Sequence, residues 1–96
     1  MKAAINQIIE TVAEEFGVMP KAITGRNRAE ILCFARQAAM FLAWRHMGAA
    51  DTTLGYYFGR RRGSAILYAR KSVPTLLETN KSFREAFRNI ESKIEL

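Results

Sequence analysis

Apolar positions recur along this chain at three- and four-residue intervals, the period of a helix with one buried face. Ile5, Ile8, Ile9, Val12, Ala13 and Phe16 predict an amphipathic helix over 3–16, stopped by Gly17. Pro20 suits the first turn of a short helix reaching Ile23. Thr24 to Arg28 then reads as a basic loop. Residues 29–47 hold no Gly or Pro and form the longest helical stretch. Its Ala35, Ala38, Ala39 and Ala43 permit close helix packing, and Gly48 is placed to cap its end.

The second half is more broken. Asp51 is expected to N-cap a short helix over 52–58. Three arginines and Gly63 separate it from a helix over 64–72, with Ile66, Leu67, Ala69 and Val73 available to the core. Pro74 lacks the N–H that a continuous helix needs, so a break is expected there, with Ser72 capping a fresh turn. Asn80 or Lys81 marks another break. A last helix over 82–96 carries Phe83, Phe87, Ile90 and Ile94 on one face. With no strand pattern, repeat or linker, the reading is one all-α domain over 1–96, a compact multi-helix fold containing a helix-turn-helix.

Charge adds the functional direction. Fifteen basic and nine acidic residues give a formal net charge of +6 at pH 7. No acidic residue lies between Asp51 and Glu78, whereas Arg60, Arg61, Arg62, Arg70 and Lys71 fall in that interval. A field concentrated on one element favours a polyanionic partner. The arginine turn also precedes a helix N-terminus, where free N–H groups and the helix dipole attract anions.

Other chemistries find little support. Cys33 is the sole cysteine, so no intrachain disulfide forms, and its apolar neighbours suggest a buried small hydrophobe. His46, the only histidine, has no ligand partners at metal-binding spacing. The apolar run from Ala38 to Trp44 is far short of the ~20 residues of a membrane span. Neither a cofactor nor a membrane is expected, and no enzymatic group set converges. Helical spacing leads us to expect Tyr56, Tyr57, Tyr68, Trp44 and His46 in packing roles. A cytoplasmic, nucleoid-associated location follows from the basic, reduced character.

Several fragments in order resemble a known family. Arg26-Asn27-Arg28 precedes the long helix, which contains Ala35-Arg36-Gln37-Ala38-Ala39-Met40. Leu54-Gly55, Phe58-Gly59 and Arg61 follow, then Ile66-Leu67-Tyr68-Ala69 and Glu78-Thr79-Asn80 with Phe83. Together they resemble the C-terminal DNA-binding domain, domain IV, of the bacterial replication initiator DnaA, which has a Trp-repressor-like helical fold. The resemblance covers about residues 8–95. It implies duplex DNA binding in replication or transcription control, with Arg28 in the minor groove and Arg36 and Gln37 on phosphates. It also implies that Leu67 meets a thymine methyl and that Lys71 serves as a basic contact. Ser64 and Arg70 are added as neighbouring contacts, and one of Arg60, Arg61 and Arg62 is expected to pair with guanine.

The departures are equally specific. The family's base-reading Asp-His-Thr-Thr is replaced here by Arg62-Gly63-Ser64-Ala65. Trp44 and Ser72 occupy positions that are commonly basic in the family. Recognition of the usual initiator box is therefore not expected. The chain also contains no Gly-x-x-x-x-Gly-Lys-Ser/Thr loop, so the ATPase chemistry of the initiator is not expected from it. The altered set leaves two alternatives open. One is a protein-interaction module serving a replication or transcription complex, which kept the fold and lost base reading; the other is RNA binding. The sequence says nothing of oligomeric state.

Overall fold

The computed structural model describes residues 1–94 and contains, among them, six helices and no strand. They are α1 (Lys2–Phe16), α2 (Pro20–Thr24), α3 (Glu30–Met47), α4 (Asp51–Tyr57), α5 (Gly63–Thr79) and α6 (Lys81–Lys93). The all-α expectation holds. The C-terminal end of the last expected helix, at Glu95 and Leu96, lies outside the described residues.

Helix α3 is the central strut. Leu32, Ala35, Ala38, Ala39, Met40, Phe41, Leu42 and Ala43 are all buried, so it is enclosed on most sides by α1, α2, α4 and α5. Its alanines let neighbouring backbones approach, while Ile5, Ile8, Ile9 and Val12 of α1 fill the gap on one flank. On the other flank sit Leu54 and Phe58 from α4 and its end, with Ile66, Ala69 and Val73 from α5. Phe83 and Phe87 of α6 close the core, in ring contact with Phe16, Phe34 and Phe41.

Three sequence expectations are corrected. Helix α5 runs through Pro74 without interruption to Thr79. Pro74 is exposed, so its ring projects from the open side of α5 and leaves the core packing of Val73 undisturbed. Ser72 caps nothing; its Oγ donates to Gln37 Oε1 on α3. Asp51 is the first residue of α4 and not its N-cap, which is Ala50; its carboxylate instead accepts from Arg70 Nη1 at 2.9 Å.

The helix-turn-helix is α4, the turn 58–62 and α5. Its compactness depends on bare backbone. A Cβ on Gly59 would lie 2.1 Å from the Thr24 carbonyl oxygen, and Gly59 has φ +77°. A Cβ on Gly55 would lie 2.4 Å from the Arg61 carbonyl oxygen. The α2 end, the turn and α4 are thus in backbone-to-backbone contact. Arg60 follows Gly59 with φ 58°, a left-handed conformation rare for a side-chain-bearing residue.

Gly48, at φ +63°, has open space around its Cα and needs glycine only for conformation. Gly48→Ala is therefore expected to cost about 1 kcal/mol, the left-handed penalty alone. Gly59→Ala adds a steric clash with backbone and should cost roughly 2–5 kcal/mol. Urea denaturation of both variants checks this; similar midpoints for the two would contradict the close approach.

Candidate nucleic-acid interface

Helix α2 is only five residues long, so nearly all its carbonyls lack an intrahelical donor. Arginines supply the missing bonds. Arg36 Nε donates to the Ile23 carbonyl at 2.7 Å, and its Nη2 donates to Ala22 and Asn27 carbonyls at 3.0 and 3.2 Å. Arg61 takes the next carbonyls along: Nη1 donates to Thr24 and Phe58, and Nη2 to Gly25. Arg26 reaches across in the opposite direction, donating to the Gly59 carbonyl. The basic loop and the helix-turn-helix turn are stitched into one surface by guanidinium–carbonyl bonds.

Electrostatics follow from that packing. Burial pulls the Arg61 guanidinium below its ordinary value to about 10, and the neighbouring Arg36 and Arg26 charges add to the shift. Its folded value lies below its unfolded value, so folding disfavours the charged form, and that cost fades only as pH rises past about 10. At neutral pH Arg61 stays protonated. No acidic side chain lines the pocket of about 620 Å³ that Arg26, Arg28, Arg36, Arg61, Cys33, Gln37 and Tyr68 surround.

The sequence-derived contact residues divide into two groups. Arg28, Arg60, Arg62, Ser64, Leu67 and Lys71 are exposed along the loop, the turn and the outer side of α5. Among the described residues none of the cations in this group has a carboxylate partner. Arg60 lies over the Tyr56 ring, its Cζ 5.8 Å from the centroid. Gln37 is half-buried, its side-chain oxygen accepting from Ser72.

Arg36, Arg61 and Arg70 form the second group, engaged by other parts of the protein. Arg36 is only 7% exposed and holds three carbonyls. Arg61 is likewise occupied by backbone. Arg70 pairs with Asp51 and lies 4.6 Å from the Trp44 ring centroid, with its Nε buried and unpartnered. These three build the surface and are not its free contacts.

Two contributors were missed. Arg26 was read only as part of a basic loop, and Tyr68 as a packing residue. Tyr68 is 63% exposed on the free side of α5 beside the basic pocket. Helical spacing puts Ile66 and Ala69 on one side of α5 and Leu67 and Tyr68 on another, but it does not say which side meets the core. His46 is also exposed, against expectation; Tyr56 is exposed but contacts the Tyr57 ring at the rim, and Trp44 packs on Phe41. Cys33 is half-buried, its Sγ 3.5 Å from the Arg28 carbonyl.

Comparison with known proteins places this architecture. Residues 5–73 match the family described as bacterial dnaA protein helix-turn-helix. The chain belongs to that family. The match spans α1 through most of α5, so the DnaA-type unit includes both the basic loop and the helix-turn-helix. The chromosomal replication initiator protein DnaA of Bacteroides fragilis is 33% identical over 92% of this chain and 18% of its own length. Its namesake in Nautilia profundicola is 29% identical over 96% of this chain and 21% of its length. That of Thermus thermophilus is 32% identical over 88% and 19%. The chain thus spans about a fifth of the length of the curated DnaA relatives it matches.

The division of the arginines has a direct thermodynamic consequence. Arg36→Ala is expected to lower stability by roughly 3–4 kcal/mol and Arg61→Ala by roughly 2–3, because each strands carbonyls that charged donors now satisfy. Arg62→Ala should stay within about 0.5 kcal/mol of the parent. Equal denaturation midpoints for the three variants would contradict this division.

Proposed function

We propose that this chain binds double-stranded DNA through its helix-turn-helix and serves replication or transcription control. The single observation that carries the reading is the set of exposed cations on the basic loop, the turn and α5. Arg26, Arg28, Arg60, Arg62 and Lys71 are exposed there without carboxylate partners among the described residues. Such a face at the start of a helix suits a sugar-phosphate backbone, which offers regularly spaced anionic oxygens. Membership of the DnaA helix-turn-helix family supports the same reading.

In the proposed complex the N-terminal turns of α5 enter the major groove. Ser64 donates to a phosphate or base edge, and Leu67, 40% exposed, meets a thymine methyl. Arg28, on the loop before α3, reaches the adjoining minor groove, where narrow A·T stretches concentrate negative potential. Gln37 and Lys71 contact phosphates from the sides, and the Tyr68 hydroxyl adds another donor. Arg36 and Arg61 act indirectly by fixing the loop to the turn. Since Arg62 and Gly63 stand where the family has Asp and His, the usual initiator box is not the target. The chain supplies DNA binding and no ATPase chemistry.

A salt titration tests this. Neutralising about five phosphates gives a log–log slope of affinity against salt near −4 to −5. Arg28→Ala and Lys71→Ala should each reduce the slope by about one without changing stability. A flat salt response would remove the DNA-binding reading, as would duplex RNA that competes on equal terms with duplex DNA.

A further inference from the structure

Three adjacent arginines occupy the turn, and their surroundings differ sharply. Arg61 is held by the Thr24, Gly25 and Phe58 carbonyls. Arg60, in its left-handed conformation, is drawn over Tyr56 on α4. Arg62 alone is the N-cap residue of α5, exposed, with no hydrogen-bond or carboxylate partner for its guanidinium among the described residues. Its backbone is already engaged, since its carbonyl accepts from Ala65 N at 3.0 Å. The root of the side chain is therefore fixed while its end is free.

The next position reinforces this assignment. A Cβ on Gly63 would sit 3.1 Å from Thr52 N and 3.2 Å from Thr52 Cγ2, a tight fit against α4, and Gly63 itself presents no side chain. The first turn of α5 thus presents Arg62, then a gap, then Ser64, with Leu67 exposed one turn farther on. Only Arg62 in this set carries the forked donor pair that fits guanine N7 and O6 together.

We propose that Arg62 is the specificity-determining residue of this chain, reading one guanine in the major groove. This rests on the DNA-binding reading above and adds to it a base identity. A guanidinium only donates, so the position selects a base edge with two adjacent acceptors. A carboxylate only accepts, so the same position carrying one selects the cytosine amino group. Reversing the charge at residue 62 should then exchange G for C on the contacted strand.

The experiment is selection from random duplex DNA with the parent chain, Arg62→Ala and Arg62→Asp, folding being checked by circular dichroism. The parent should enrich a motif with one invariant guanine column. Arg62→Ala should lose that column, with affinity for the selected site reduced about 5- to 150-fold. Binding to unrelated DNA should change far less. Arg62→Asp should shift the same column toward cytosine. Retention of guanine in either variant overturns the proposal, as does parent binding that enriches no guanine position; in both cases the DNA-binding reading survives. Failure of the parent to retain any duplex overturns both.

Discussion

The whole basic face depends on a short helix that cannot satisfy its own carbonyls. Helix α2 ends after five residues; Gly25 N donates to the Ala22 carbonyl, which Arg36 shares, and the carbonyls of Ile23, Thr24 and Gly25 are taken by Arg36 and Arg61. Leaving such groups buried and unpaired would cost about 1–3 kcal/mol each. Charged donors make stronger bonds than neutral ones and suit the negative end of a helix. Because Arg36 comes from α3 and Arg61 from the turn, satisfying α2 also fixes three segments relative to one another. The loop that carries Arg26 and Arg28 is positioned by the same bonds that hold the turn.

This arrangement sets like charges side by side. Arg26, Arg36 and Arg61 are close enough that their mutual repulsion lowers the Arg61 value further. Carbonyl oxygens offset that repulsion without neutralising it, which a carboxylate would have done. The net positive field of the surface therefore persists through its own scaffolding. Elsewhere the chain uses carboxylates freely: Glu91 pairs with Arg45, Glu14 and Glu15 approach Lys93 at 3.6 Å, and Asp51 holds Arg70. Only the loop and turn are built from cations and backbone alone.

Much of the fold was legible from periodicity and glycine stops, since Gly17 and Gly48 do end α1 and α3 in left-handed conformations. Pro74 is accommodated because it lies on the exposed side of α5, and one sequence does not show which side that is. The site was legible as a basic turn but not as individual roles. Arg36 within an apolar helix looks the same whether it donates to phosphates or to α2 carbonyls; the approach of α2, thirteen residues earlier, decides it. The same holds for Arg70, whose partners Asp51 and Trp44 come from two other segments. Tyr68 was misjudged for a simpler reason, because helical spacing alone does not say which stripe of α5 meets the core.

The glycine at position 63 changes what the recognition surface is able to read. A Cβ there would stand 3.1 Å from Thr52 N, a tight approach, and Gly63 itself offers no side chain, so the polar character of this surface comes from its neighbours. Those side chains are Arg62, Ser64, Leu67, Tyr68 and Lys71. Arg and Lys only donate, Ser and Tyr can donate, and Leu is apolar. The exposed start of α5 thus holds no acceptor-only group. Such a surface is complementary to base edges rich in acceptors and to phosphate oxygens, and it leaves the cytosine amino group without a strong partner. Arg62 therefore sets a donor-only group at the exposed start of α5, directly beside the arginine–carbonyl bonds that fix the turn.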